Sequence, residues 1–129
     1  MKVLALDYGS ARTGVAVSDP SGTIARPLGV VERAASDAGL ARLVELIREE
    51  EAERVVVGLP LTLRGERGAQ ARETEVFVEA LRAAVEVPVE SYDERFTTRL
   101  AQTAPGPDDA RAAAHLLSSY LEWSSADRG

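Results

Sequence analysis

The sequence contains no cysteine, a single histidine and no run of 18 apolar residues. The missing cysteines exclude a disulfide scaffold, and together with the single histidine they argue against a zinc site. The lack of a long apolar run argues against a membrane-spanning helix. Met1 and Lys2 lead directly into an apolar strand, which is not the pattern of a secretory signal. We therefore expect a soluble, cytoplasmic protein with no membrane partner.

Lysine is nearly absent as well. Of the 15 basic residues only Lys2 is a lysine, and 21 acidic residues give a net charge of −6. Such a charge is unfavourable for nucleic-acid binding when net charge alone is considered. Much of the negative charge falls on residues 48–53, REEEAE, which indicates a solvated helix end. Local arginine patches therefore remain compatible with a nucleic-acid partner.

Strand-like and helix-like segments alternate along the 129 residues, a length that predicts one domain. Three strands are predicted first, at residues 2–7, 14–18 and 24–31. A helix capped by Ser36, a strand at 54–58, a helix, a strand at 87–92 and a last helix from about 107 to 123 follow. The predicted apolar positions of the middle helix are Val76, Phe77, Ala80, Leu81 and Ala84. This order predicts a mixed sheet with helices on its faces.

Acidic residues stand where two of these strands end. Asp7 closes the first strand, which is apolar on both faces, and Asp93 and Glu94 follow the last strand. An ionised carboxylate beside such a core is costly unless something pairs with it. Asp7 is compatible with a capping role at the turn containing Gly9, and also with binding a metal ion.

A third acid, Asp109, stands at the start of the last helix and shares a face with Ala113 and Leu116, so we expect it to face the sheet. Its neighbour Asp108 fits an ordinary helix cap. Ligands of open α/β sheets bind at the carboxyl ends of the strands. Three carboxylates converging there form an oxygen site suited to Mg²⁺ or Mn²⁺, and two such ions can hydrolyse a phosphodiester with few other catalytic residues.

Four motifs, in this order and spacing, resemble the YqgF/RuvX family over roughly residues 1–123. They are DYGSARTGVAVSD at 7–19, GLP at 58–60 with Gly65, DERFTT at 93–98, and DARAA at 109–113 with Tyr120 and Leu121. The resemblance implies an α/β, ribonuclease H-like fold in a single domain over residues 1–129. Its five-stranded mixed sheet has the order 3-2-1-4-5, with strand 2 antiparallel, and is flanked by helices.

The resemblance also implies a bacterial, cytoplasmic nuclease, because the family is described as Holliday junction resolvases and as nucleases that mature the 5′ end of 16S ribosomal RNA. The catalytic and metal-binding acids it implies are Asp7, Glu94 and Asp109, with Asp93 as the alternative to Glu94. Glu94 is favoured because the longer carboxylate reaches a shared metal more easily. The implied cofactor is Mg²⁺ or Mn²⁺, as two ions.

Five further residues are expected to contact the substrate: Arg12, Arg64, Arg95, Thr97 and Thr98. The two threonines fit the start of a helix equally well. The chain departs from the family at residues 100–107, LAQTAPGP, where a longer and more basic segment is usual. Arg64, in the loop after the fourth strand, is then the best remaining basic residue near the acids.

The leading hypothesis is therefore hydrolysis of phosphodiesters in structured RNA or branched DNA, by a monomer or a homodimer. Pre-ribosomal RNA is favoured, because symmetric cleavage of a four-way junction needs a dimer and the sequence shows no evident dimer seam. One alternative is a nucleotide-binding module, since the Asp-x-Gly of the first strand also resembles the phosphate motif of sugar-kinase and actin-like ATPases. The other is a non-catalytic nucleic-acid interaction module.

Overall fold

Five strands and three helices make up the described part of the chain, which in this computed structural model comprises residues 1–60, 68–93 and 109–128, with side chains described as far as residue 124. The predicted element order is confirmed, with small shifts at the ends. The elements are β1 Val3–Asp7, β2 Arg12–Ser18, β3 Ala25–Glu32, α1 Asp37–Glu49, β4 Arg54–Leu59, α2 Ala69–Ala84, β5 Val89–Asp93 and α3 Asp109–Arg128.

The strands form one sheet in the order β3-β2-β1-β4-β5. β2 pairs antiparallel with both β1 and β3, whereas β1, β4 and β5 are parallel neighbours. The sheet is therefore mixed and β2 is its antiparallel strand, which confirms the predicted topology. The carboxyl ends of β1, β4 and β5 meet at one edge, the carboxyl edge, so the segments that follow these strands begin there.

Alternation along the strands divides the core between two faces. Leu4 and Leu6 of β1 pack with α1 and α2 on one face, the α1/α2 face. Val3 and Ala5 pack with α3 on the other, the α3 face. Because residues of a strand point alternately to its two sides, one apolar run serves both clusters.

The helices follow their sequence signals in part. Ser36 caps α1 as predicted, since its Oγ accepts a hydrogen bond from the backbone N–H of Gly39 at 3.1 Å. The predicted apolar face of α2 is partly wrong: Phe77 and Leu81 are buried, but Val76, Ala80 and Ala84 are exposed, Val76 by 71%. Thr74 is buried instead, and this is tolerated because its hydroxyl donates to the carbonyl of Gln70 at 2.9 Å.

Within the ranges described, no helix is both long and apolar enough to span a bilayer, and this includes the 20-residue α3. That helix packs instead across β1, β2 and β3 on the α3 face.

Candidate metal-binding nuclease site

Asp7 is the last residue of β1 and lies on the α3 face. Val3 and Ala5 belong to the residues buried between the sheet and α3, the α3 cluster, while Leu4 and Leu6 pack on the opposite face. Asp7 continues the row of Val3 and Ala5, because side chains alternate along a strand. The apolar strand thus presents its carboxylate at the carboxyl edge, on the face that α3 covers.

Gly14 brings the start of α3 beside Asp7. It is the cross-strand partner of Asp7 in the antiparallel pairing of β1 with β2, and such partners lie on the same face. A Cβ atom at Gly14 would come within 1.8 Å of the carbonyl oxygen of Asp109. The helix backbone therefore rests on this glycine, one strand away from Asp7, and neighbouring strands lie about 4.8 Å apart. Gly14 is not among the predicted site residues, although a glycine inside a strand is a signal of close backbone approach.

Asp109 is the first residue of α3 and pairs with an arginine of β2. Nε of Arg12 lies 3.3 Å from Oδ2 of Asp109, and the two side chains are 59% and 31% exposed. The helix dipole also favours an acid at this position. An exposed ion pair of this kind stabilises a fold by only about 0–1 kcal/mol. Arg12 and Asp109 are therefore paired at the edge of the α3 face where β1 ends in Asp7, and the ion pair itself adds little to the stability of the fold.

Asp93 lies on the other face of the sheet. It ends β5 and pairs with Leu59 in the parallel ladder. Its neighbour Tyr92 packs in the α3 cluster, so alternation places Asp93 on the α1/α2 face. On this basis Asp93 is on the face opposite Asp7, and the described residues contain no metal-binding group of three acids that includes it.

The turn between β1 and β2 is held by a glycine and a buried threonine. A Cβ atom at Gly9 would come within 2.4 Å of the carbonyl oxygen of Arg12, so a larger residue would open the turn. Thr13 is fully buried, and its Oγ1 lies 3.4 Å from both the backbone nitrogen and the carbonyl oxygen of Gly9. This tight turn fixes the separation of Asp7 and Arg12.

Tyr8 ties this turn to α2 from the α1/α2 face. Its ring stacks on Phe77, with ring centroids 4.5 Å apart and an angle of 21° between the rings. Burial raises the pKa of Tyr8, and the carboxylate of Glu73, which accepts a hydrogen bond from the Tyr8 hydroxyl, raises that pKa further. The neighbour of Asp7 is thereby anchored on the side of the sheet opposite α3.

The remaining predicted site residues lie outside the described part of the chain: Arg64, Glu94, Arg95, Thr97 and Thr98. In the three ranges that are described, no group of three or more His, Cys, Asp or Glu side chains could hold a metal ion. Of the three candidate acids that are described, Asp7 and Asp109 stand on the α3 face and offer carboxylate oxygens, the donors that Mg²⁺ and Mn²⁺ prefer. This donor set fits such an ion, with a third acid still to be supplied.

Comparison with known proteins shows similarity over nearly the whole chain. The family model "RuvX: Holliday junction resolvase" matches residues 1–123. A relative from Rubrobacter xylanophilus, named "Putative pre-16S rRNA nuclease", is 46% identical over 94% of this chain and 92% of the relative. A relative of the same name from Chloroflexus aurantiacus is 46% identical over 78% of this chain. That alignment spans only 65% of the Chloroflexus protein.

A solved structure supports the fold. RuvC from Thermus thermophilus, in complex with a Holliday junction substrate, superposes with a TM-score of 0.65 over 98% of this chain and 96% of its own, at 20% identity. This likeness confirms the ribonuclease H-like fold expected from the sequence. The family match covers residues 1–123 and the Rubrobacter relative aligns over almost the full length. The chain therefore belongs to the RuvX Holliday junction resolvase family.

Proposed function

We propose that this chain is a metal-dependent, cytoplasmic nuclease that hydrolyses phosphodiester bonds at the 5′ end of pre-16S ribosomal RNA. The observation that carries the proposal is the contact of Gly14, the cross-strand partner of Asp7, with the backbone of Asp109 at the start of α3. Membership of the RuvX family supports nuclease chemistry, and the names of the relatives support the RNA substrate.

Asp7, Asp109 and Glu94 would hold Mg²⁺ or Mn²⁺, as two ions. When bound, such ions activate a water molecule and stabilise the leaving oxygen of a phosphodiester. Glu94 is proposed over Asp93 because alternation from Tyr92, a residue of the α3 cluster, puts Asp93 on the α1/α2 face. Glu94 itself lies outside the described residues. We expect Glu94 to complete the acid set on that basis.

Arg12 would neutralise part of the negative charge of the acids and donate hydrogen bonds to a phosphate of the substrate. Its guanidinium is always charged, carries five N–H donors and already lies 3.3 Å from Asp109. Further phosphate contacts from Arg64, Arg95, Thr97 and Thr98 remain predictions from the family resemblance.

The proposal is tested by Asp7→Asn, which removes one charge and keeps the shape of the side chain. We expect Mg²⁺- or Mn²⁺-dependent cleavage of a 16S precursor fragment to fall by more than about 100-fold, the upper end of the losses that follow from weakening a metal site indirectly. In metal-free buffer the variant should remain folded, because asparagine keeps the shape of the side chain. Added Mg²⁺ should raise the melting temperature of the unmodified protein and not that of the variant.

A matched control is Asp37→Asn, which changes an exposed acid in the first turn of α1 and should cleave like the unmodified protein. Full metal-dependent cleavage by a purified Asp7→Asn protein would overturn the assignment of the site.

A second candidate substrate is the four-way DNA junction. The family description and the junction bound to Thermus RuvC favour it. Symmetric cleavage of a junction needs two sites in a homodimer, whereas a monomer suffices for RNA. Side-by-side cleavage of a synthetic junction and a 16S precursor fragment, with the oligomeric state measured by light scattering, discriminates between the two. Faster cleavage of the junction by a dimer would replace the RNA proposal.

A further inference from the structure

Arg33 is an exposed arginine held close to the proposed site by backbone contacts. It follows β3, whose last residue Glu32 pairs with Arg12 across the ladder. The backbone N–H of Arg33 donates to the carbonyl of Ala11 at 3.0 Å. Since Arg12 contacts Asp109, Arg33 lies at the same edge of the sheet as the acids, bonded to the residue that precedes Arg12.

The backbone at Arg33 has a conformation that suits glycine better than arginine. Its φ of 46° lies in the left-handed region, which strains any residue with a Cβ atom. The turn is fixed, because the carbonyl of Arg33 accepts hydrogen bonds from both the backbone N–H and the hydroxyl of Ser36, at 2.9 and 2.7 Å. A Cβ atom at Gly39 would come within 2.0 Å of the same carbonyl. These backbone contacts account for the conformation of the turn, but they do not require an arginine side chain at position 33.

The guanidinium of Arg33 forms no ion pair with any residue in the described ranges. By contrast, Arg26 pairs with Glu50 at 3.5 Å and Arg42 pairs with Glu45 at 3.4 Å. Arg48 also forms no ion pair there, but it lies in the last turn of α1, where the helix dipole favours a cation. Within the described residues, no acidic side chain therefore neutralises the charge of Arg33.

We propose that Arg33 binds a backbone phosphate of the nucleic-acid substrate, next to a phosphate bound by Arg12, so that the strand passes from the acids over the adjoining ends of β2 and β3. The proposal rests on the nuclease function proposed above. A guanidinium matches a phosphate because its N–H donors form a planar fork. Glu32 pairs with Arg12 across the ladder and lowers the net positive charge of this edge. A specific contact of Arg33 with one phosphate is therefore favoured over non-specific attraction of the nucleic acid.

The test measures binding in an Asp7→Asn background, which prevents cleavage. Fluorescence anisotropy with a labelled 16S precursor fragment and a labelled four-way DNA junction is recorded from 50 to 200 mM KCl in the presence of Mg²⁺. Arg33→Gln should weaken binding and make the slope of log K against log salt shallower by about 0.7 to 0.9, the value for one phosphate contact. Arg48→Gln is the matched control, since it removes the same charge from the last turn of α1 and should leave the slope unchanged.

Arg33→Gly separates binding from stability. The melting temperature should rise, because glycine relieves the left-handed strain, while the salt slope becomes shallower as in Arg33→Gln. A structural role alone predicts that only the melting temperature changes.

An unchanged slope in both Arg33 variants would overturn the inference and leave the nuclease proposal intact. Equal losses in Arg33→Gln and Arg48→Gln would also overturn it, since they would show diffuse electrostatics. If the Asp7→Asn protein binds neither probe and the unmodified protein cleaves neither, the proposed function fails and this inference fails with it.

Discussion

The two faces of the sheet are lined by residues of different size. On the α1/α2 face the central strands present large side chains, among them Leu4, Leu6 and Val57. On the α3 face the same strands present smaller ones, such as Ala5 and Ala16, and the row of Ala16 continues to Gly14. Small residues let a helix approach the sheet closely, and glycine lets the backbones touch. The face with the closer helix is the face that carries the acids.

Polar contacts hold α3 on the sheet at two places. α3 is held at the carboxyl edge by Arg12 and Asp109, and towards its other end by a hydrogen-bonded group formed by Arg54, Glu90 and Tyr120. Burial raises the pKa of Tyr120, and its hydrogen bond to Glu90 raises that pKa further. We therefore expect substitutions on the α1/α2 face to affect stability alone, whereas the α3 face also positions the acids proposed for the site.

The largest expected effect on stability is on the α1/α2 face. Leu43→Ala removes a side chain that is fully buried in α1, so the free energy of unfolding should fall by about 2–5 kcal/mol. Cleavage measured well below the melting temperature should persist, because Leu43 lies on the face away from the acids. Urea denaturation and a cleavage assay check both parts.

The control for Leu43→Ala is Val76→Ala in α2, which should change stability by less than about 0.5 kcal/mol since Val76 is exposed. If a folded Leu43→Ala protein lost its cleavage, the division of roles between the two faces would be wrong.

An intermediate effect on stability, with a large effect on cleavage, is expected at Gly14. Gly14→Ala places a Cβ atom where the carbonyl oxygen of Asp109 lies, so α3 must shift. Overpacking of this kind costs about 1–3 kcal/mol, and more when backbone must move. Displacement of Asp109 should also abolish metal-dependent cleavage.

Gly29→Ala tests whether the effect belongs to the contact and not to glycine itself. A Cβ atom at Gly29 in β3 would meet nothing within 4 Å, so this variant should be close to neutral. Equal losses in both variants would contradict the role assigned to Gly14.

The sequence predicted the element order and the strand pairing because hydrophobic period, turn residues and family motifs all pointed to the same topology. The sequence could not assign Asp93 to a face of the sheet. Side chains alternate along β5, but only the packing of Tyr92 shows which of them face α3. The sequence pattern also predicted wrongly that Val76 lies on the buried face of α2. Adjacent residues of a helix point in different directions, so Val76 is exposed where its neighbour Phe77 is buried. A glycine inside β2 does indicate a close backbone approach, but its partner Asp109 is distant in sequence, so no local pattern identifies that partner.

The smallest stability effect should follow the loss of the ion pair at the carboxyl edge. Arg12→Gln removes the contact with Asp109, and because Arg12 is mostly exposed, the free energy of unfolding should change by no more than about 1 kcal/mol. Cleavage should nevertheless fall by about 10- to 100-fold, since a charged hydrogen bond to the substrate is lost. Arg42→Gln, which breaks exposed ion pairs with Glu45 and Glu49, should match the stability change and leave cleavage intact. A loss of several kcal/mol in Arg12→Gln would mean that the ion pair holds α3 on the sheet. The close packing at Gly14 would then no longer account for how the acids are brought together.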